Sequence, residues 1–146
     1  MKRKLISSII TVVICMAGLL PDTFASSKNI KWYSHDEGIA VAYSEGKKIY
    51  INFRADWCVY CKRMEKETFS NPAVVSYLNK HFISIMVDTD KETKTSNKYG
   101  VRALPDSWFL FKNGNPIGRR KGYIKPDTFI KILKSIQEDI GKKKKD

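Results

Sequence analysis

Apolar and polar residues follow two different spacings along the chain, and changes in spacing mark out its helices and strands. Runs of β-branched and aromatic residues predict buried strands, whereas apolar residues three and four positions apart predict amphipathic helices. Gly46 closes the first helix, Asn71-Pro72 restarts a helix, and Asn113-Gly114 predicts a hairpin turn. The predicted helices span residues 36–45, 58–69, 73–79, 91–99 and 127–140, and the predicted strands span 48–53, 82–87, 107–111 and 116–120. This order predicts an α/β fold with a central mixed β-sheet flanked by helices.

Residues 1–25 have the pattern of a secretory signal peptide. Lys2-Arg3-Lys4 forms a positive n-region, an uncharged and mostly apolar run extends from Leu5 to Leu20, and Thr23-Phe24-Ala25 places small residues where a signal peptidase cleaves. We therefore expect cleavage near Ala25 and an exported protein. The alternative is an uncleaved N-terminal membrane anchor, although the apolar run is shorter than the roughly 20 residues that usually span a bilayer.

Length and charge bound the rest of the chain. The 146 residues predict one domain, at 26–141, followed by a lysine-rich tail at 142–146. The net charge of +12 would favour acidic partners or an anionic membrane surface, but a solvated tail and a soluble basic surface explain it as well. No nucleic-acid-binding motif is present in the sequence, so no nucleic acid partner is expected.

Cys58 and Cys61 are the candidate chemistry. A disulfide between residues so close in sequence constrains little of the chain, so in an oxidising compartment the pair indicates catalysis rather than structural cross-linking. Because the pair begins a helix after a strand, we expect Cys58 to be an exposed thiolate stabilised by the helix N-terminus, and Cys61 to be less exposed and to resolve the mixed disulfide. A metal clip is the alternative, but one Cys-x-x-Cys pair supplies only half of a tetrahedral zinc site. We expect no metal, and no cofactor beyond the redox-active disulfide Cys58–Cys61.

From about residue 36 to residue 133 the chain resembles the thioredoxin superfamily. The motifs that carry the resemblance are Ala-Asp-Trp-Cys-Val-Tyr-Cys-Lys at 55–62, Tyr-Gly-Val-Arg-Ala-Leu-Pro at 99–105, Phe-Lys-Asn-Gly at 111–114, and Gly122. The stretch from 55 to 62, with Glu65, Thr68-Phe69-Ser70 and Pro72, is similar to the C-terminal periplasmic domain of the thiol:disulfide interchange protein DsbD. The resemblance implies a thioredoxin-like fold and a periplasmic thiol–disulfide oxidoreductase.

The same resemblance implies a substrate-binding surface beside Cys58. Trp57 and Tyr60 would shape it, and Leu104-Pro105 matches the cis-proline loop of the family, where an extended substrate segment pairs with the backbone. The alternatives are a core aromatic for Trp57 and an ordinary trans turn at Pro105. Asp106 stands where the family commonly has threonine, which we expect to change the partners that dock there.

Three further residues are candidates for tuning the sulfur atoms. Asn52 stands where the family usually has a buried aspartate, so it removes a carboxylate that could accept a thiol proton. Glu65 follows Cys61 by one helical turn and matches a DsbD glutamate that raises the pKa of the attacking cysteine; the alternative is a surface residue on a charged helix. Lys62 adds positive charge next to the pair.

The leading functional hypothesis is an exported reductant of protein disulfides. Periplasmic protein disulfides would be its substrates, a membrane thiol transporter would be its electron donor, and the protein would act as a monomer. Two alternatives are a disulfide oxidase or isomerase, and a non-catalytic thioredoxin-fold binding module or metal carrier.

Overall fold

The computed structural model describes residues 27–143, with side chains described as far as Glu138. The predicted signal peptide at 1–25 and the last three residues of the predicted tail lie outside the described residues. Within the described part of the chain, none of the helices has the length and apolar character needed to cross a membrane.

A five-stranded mixed sheet forms the centre of the fold. The strands lie in the order β1-β3-β2-β4-β5, with β1, β3 and β2 parallel and with β4 and β5 antiparallel to their neighbours. The strands are β1 Trp32–Tyr33, β2 Lys48–Arg54, β3 Phe82–Asp88, β4 Asp106–Leu110 and β5 Pro116–Lys121. The helices are α1 His35–Glu45, α2 Val59–Glu67, α3 Pro72–His81, α4 Thr93–Lys98 and α5 Pro126–Lys143. The predicted mixed sheet flanked by helices is confirmed.

The alternation of side chains along β2 gives the sheet two different cores. Ile49, Ile51 and Phe53 are buried on the face that also holds residues of α1. Tyr50 is buried on the opposite face, where its ring lies 5.1 Å from that of Phe129 on α5. The second core is rich in aromatic residues and lies beneath α2, α3 and α5, so this face supports the helix that carries the cysteine pair.

Several predicted boundaries were wrong by one or a few residues. The helix at 58–69 ends at Glu67, because the N–H groups of Thr68 and Phe69 both bond to the Met64 carbonyl and the Thr68 hydroxyl donates to Ile124 O. The third strand begins at Asp106 rather than Ser107, and the last helix extends through Lys143, into the segment predicted as a tail.

One strand was not predicted at all. β1 contains only Trp32 and Tyr33, too few residues for a period to be visible, and its pairing with β3 is known only from the fold. The segment before it is held by Asn79, which accepts from Lys31 N at 2.9 Å and donates to Asn29 O at 3.0 Å.

Local signals in the sequence were correct at three junctions. Gly46 ends α1 with φ of 68°, a left-handed conformation that glycine adopts without strain. Asn71 caps α3 by accepting from Ala73 N and Val74 N, with Pro72 in the first helical position. Gly114, with φ of 83°, closes the turn between β4 and β5.

Candidate active site

The cysteine pair lies where β2 gives way to α2. The Cys58 N–H donates to Ala55 O at 3.1 Å, which turns the chain, and Cys58 then serves as the N-cap of α2. Its Sγ accepts the Cys61 N–H at 3.1 Å, and the two cysteines are joined in a disulfide with their Cα atoms 5.2 Å apart. A sulfur in this place receives a helix N–H and the positive end of the helix dipole, both of which favour a thiolate after reduction.

The expected exposure of Cys58 is corrected by the structure. Cys58 is only 5% exposed and Cys61 only 1% exposed in the disulfide form. Ala55 belongs to the same buried cluster as the two cysteines, and the partly buried Leu104 packs against this cluster. The order of exposure is the predicted one, but Cys58 is buried in the disulfide form.

Exposed apolar side chains surround this nearly buried disulfide. Trp57 is 68% exposed, Val59 74% and Tyr60 59%. The indole N–H of Trp57 donates to Asp90 Oδ2 at 2.9 Å, so the ring is held in place despite its exposure. Trp57 is therefore not a core aromatic. Together with Val59 and Tyr60, it leaves exposed apolar area next to the cysteine pair, a feature typical of surfaces that bind another molecule.

Leu104 and Pro105 come from the loop before β4. The peptide bond between them is cis, Leu104 packs against the cluster that contains the cysteine pair, and Pro105 is buried with its carbonyl accepting from Gly122 N at 2.7 Å. Leu104 therefore brings this loop into contact with the cysteine cluster.

Asp106 does not face a partner, contrary to expectation. Its side chain is fully buried and accepts from Arg119 Nε at 2.9 and 3.0 Å, with a further contact to the Nη2 atom. Arg119 also donates to Gly100 O at 3.1 Å and lies over the Trp108 ring. The hydrogen bonds to Asp106 raise the pKa of Arg119 further. Asp106 therefore holds the loop and β5 together from inside.

Glu65 lies on α2 with its carboxylate turned toward Arg54. Glu65 Oε1 lies 2.7 Å from Arg54 Nε, an ion pair without the geometry of a directed hydrogen bond. Arg54 also contacts Asp56 at 2.8 Å and Asp88 at 3.7 Å. Burial opposes the charge of Arg54, but the three carboxylates outweigh burial and raise its pKa. Lys62 is exposed on the first turn of α2, where its N–H donates to Cys58 O.

Comparison with known proteins identifies the family. A family profile described as "Thioredoxin-like domain" matches residues 35–137. The chain belongs to the thioredoxin-like family. It is 32% identical over 104 residues to the thiol:disulfide interchange protein DsbD of Vibrio vulnificus, a match that covers 67% of this chain and 17% of DsbD. It is also 32% identical over 105 residues to thioredoxin H9 of Arabidopsis thaliana, covering 70% of each chain.

A solved structure gives the same result for the fold. A thioredoxin from Thermus thermophilus matches with a TM-score of 0.68 and 26% identity, covering 74% of this chain and 87% of that one. The predicted family and the predicted enzyme class, a thioredoxin-like thiol–disulfide oxidoreductase, are thus confirmed at the level of the family. The chain spans only 17% of the length of the DsbD relative.

Asn52 is buried on the face of β2 that lies beneath α2 in this thioredoxin-like protein. It is 1% exposed, lies on the same face of β2 as Tyr50, and pairs in register with Met86 and Ser107. Its Oδ1 atom has no hydrogen-bond partner in the described structure. At this position, where the sequence has no carboxylate, the structure therefore holds a neutral amide whose oxygen accepts no hydrogen bond within the described residues.

Sequence reasoning missed the acidic and basic residues that surround the site. Arg54 and Asp88 end neighbouring parallel strands in register, and Lys91 lies 3.1 Å from Asp88. Desolvation opposes ionisation of Asp88, but Lys91 and the Asp90 backbone N–H outweigh desolvation and lower its pKa. The sequence did contain an indication of this pairing. Arg54 follows a mostly apolar, strand-forming run, and a charged residue at the end of a buried strand is usually paired with an opposite charge, here on the neighbouring strand.

Proposed function

We propose that this thioredoxin-like protein is an exported reductant of protein disulfides. The observation that carries the proposal is the position of Cys58. It caps α2, its Sγ accepts a helix N–H, and exposed Trp57, Val59 and Tyr60 surround it. This arrangement joins a stabilised thiolate to a surface on which an extended protein segment can rest.

The reaction exchanges one disulfide for another. In the reduced protein, the Cys58 thiolate attacks one sulfur of a substrate disulfide, so the substrate disulfide breaks, a Cys58–substrate disulfide forms and one substrate thiolate leaves. The Cys61 thiolate then attacks Cys58 Sγ, which closes the Cys58–Cys61 disulfide and releases the second substrate thiolate. Two electrons pass from the dithiol to the substrate. A thiol donor must return them, and we propose a membrane thiol transporter for that step.

Substrate binding is assigned to the surface around the pair. Trp57 and Tyr60 supply exposed aromatic area, and Leu104 with Pro105 supplies the cis-proline loop that contacts the cysteine cluster. Asn52 is buried and Glu65 is paired with Arg54, so we do not place them on this surface. We assign them to tuning rather than to binding.

Export rests on the signal-peptide pattern and on the DsbD relatives. The n-region, the apolar run and the small residues before Ser26 are those of a cleaved secretory signal. The test is the N-terminal residue of the protein recovered from the periplasm of a producing cell. A chain that begins at Ser26 supports the proposal, whereas a full-length chain in the membrane fraction supports the anchored alternative.

An insulin-reduction assay tests the chemistry. The chain from Ser26 onward, with dithiothreitol as electron source, is expected to precipitate insulin far faster than its Cys58→Ser variant. Equal rates would overturn the proposal. The reduction potential of the Cys58–Cys61 pair decides the direction of electron flow. A value of about −270 mV indicates a reductant, whereas a value of about −120 mV indicates an oxidant of exported thiols.

A further inference from the structure

Arg54 is the point at which β2 meets the redox helix. It is the last residue of β2, its side chain is only 15% exposed, and it contacts carboxylates from three different segments. Asp56 belongs to the loop before Cys58, Glu65 to α2, and Asp88 to the end of β3. One guanidinium group therefore links the strand, the loop and the helix that together position the disulfide.

Of these three carboxylates, only Glu65 lies on α2, the helix that Cys58 caps and that contains Cys61. It lies one turn after Cys61, where neighbouring Cβ atoms are about 5–6 Å apart. It lies nearly two full turns after Cys58, or about 10 Å along the axis, on the same side of the helix. A free carboxylate there would disfavour a thiolate at Cys58.

We propose that Arg54 is a positioning residue that binds the Glu65 carboxylate and offsets its charge, so that Glu65 does not suppress the reactivity of the Cys58 thiolate. The proposal rests on the proposed role of Cys58 as the attacking thiolate. It changes the interpretation of Glu65 from a residue that slows the sulfur to one whose charge is already paired with Arg54.

The charges around the sulfur pair define the expected size of the effect. They are Lys62 and Glu65 on α2, Arg54 and Asp56 before it, Asp88, Asp90 and Lys91 after β3, and Arg102, Asp106 and Arg119 near the cis-proline loop. Asp106 is already paired with Arg119, and Asp90 accepts the Trp57 indole N–H. Removing Arg54 would leave Glu65 without the only cation that the described ion pairs give it.

The rate of alkylation of reduced Cys58 by iodoacetamide at fixed pH measures the thiolate directly. We expect Arg54→Gln to slow this reaction by about threefold to tenfold at low salt, the effect of one unit charge about 10 Å away at an intermediate effective dielectric constant, and physiological salt should screen much of this effect. The midpoint of the thiolate absorbance titration should move to higher pH. A merely structural role would change the melting temperature without moving that midpoint.

A double-mutant cycle separates the two possible actions of Arg54. Glu65→Gln alone should speed alkylation, and the double variant Arg54→Gln/Glu65→Gln should react within about twofold of the wild type, because both charges of the pair are then gone. A double variant as slow as Arg54→Gln would show that the slowing comes through Asp56, Asp88 or a structural change. No slowing by Arg54→Gln would show that the Glu65 charge does not reach the sulfur; both results would overturn the proposal.

Two further variants make the test independent of folding defects. Arg63→Gln removes a guanidinium from the same helix that pairs with Glu67, and we expect it to leave the alkylation rate unchanged. If Arg54→Gln does not fold, Glu65→Gln alone remains decisive: an acceleration of more than about twofold supports the proposal, because the Arg54 charge is left unopposed, and a smaller change overturns it, because the charges of the pair would then not reach the sulfur.

The alkylation assay also keeps this proposal distinct from the proposed function. It needs no protein substrate and no electron donor. If insulin reduction fails while the double variant recovers the wild-type alkylation rate, the reductant hypothesis is wrong and the role of Arg54 stands. If insulin is reduced but the double variant stays as slow as Arg54→Gln, the role of Arg54 is wrong and the reductant hypothesis stands.

Discussion

Two arginine–carboxylate systems hold the segments that carry the cysteine pair and the cis-proline loop, and they differ in the depth of their carboxylates and in the number of their partners. In one system, Asp106 is completely buried and Arg119 is the one cation that the described ion pairs give it. In the other system, Arg54 is shared among three carboxylates whose side chains are 14% to 70% exposed, and two of them also lie near Lys91. One system is a closed pair within the fold, and the other is a network that reaches solvent.

This difference separates structural from electrostatic roles. A buried carboxylate that loses its only partner has no water to replace it, so the fold bears the full cost of an uncompensated charge. A carboxylate in a partly solvated network can exchange partners, so the loss of one cation changes the local potential more than the stability. We therefore expect the Arg119 pair to hold the cis-proline loop in place and the Arg54 network to set the reactivity of Cys58.

The largest effect is expected from breaking the buried pair. Arg119→Met should lower the free energy of unfolding by about 3–5 kcal/mol, because the Asp106 carboxylate is left buried and unpaired. Urea denaturation of the oxidised protein measures the change. Arg120→Met is the matched control: Arg120 is the next residue on β5, is exposed, and should be replaced with little effect.

The double variant Asp106→Asn/Arg119→Met separates charge from packing. Removing both charges should recover part of the lost stability, since a neutral pair leaves no buried ion. If the double variant were no more stable than Arg119→Met alone, the loss would reflect the arginine's packing on Trp108 rather than the unpaired carboxylate.

The elements of the fold that could be predicted are those determined by local chemistry. The apolar runs of β2 and β3, the left-handed Gly46 and the Asn71 cap each depend on neighbouring residues, and the structure contains all of them. β1 could not be predicted, because a strand of two residues exists only through its pairing with β3.

The candidate site divides in the same way. The spacing of Cys58 and Cys61 was enough to locate the chemistry, since both lie within one helical turn. The burial of Cys58 was not predictable, because Leu104 reaches it from a distant loop. The Arg54–Asp88 contact depends on the register of parallel strands, and Asp106–Arg119 depends on the register of a hairpin.

An intermediate effect is expected from titrating the exposed network. The pKa of Asp88 is lowered below its ordinary value of 3.8: desolvation opposes this, and Lys91 and the Asp90 backbone N–H outweigh it. A group with a depressed pKa in the folded state stabilises the fold above its unfolded pKa and loses that contribution as pH falls through the folded value. Wild type should therefore melt above Asp88→Asn at pH 7, and the gap should close below about pH 4.

The Asp88→Asn substitution removes the charge of the side chain and keeps its shape. The side-chain amide introduced by Asp88→Asn keeps an oxygen that can accept from Asp90 N, a bond of 3.1 Å in the wild type, so the local turn is preserved. A gap in melting temperature that did not narrow as the pH falls below about 4 would mean that shape rather than ionisation accounts for the contribution of Asp88.

The smallest effect is expected from an exposed pair that shares two features with the Arg119 system, a carboxylate partner and an aromatic ring beneath the guanidinium. Arg63 lies 3.1 Å from Glu67 and sits over the Tyr123 ring at 4.4 Å, much as Arg119 joins a carboxylate and lies over Trp108. Both partners are exposed, so water and salt replace the lost contact. Arg63→Gln should leave the melting temperature unchanged at physiological salt. A loss comparable to that of Arg119→Met would show that contacts, and not burial, determine what these pairs contribute.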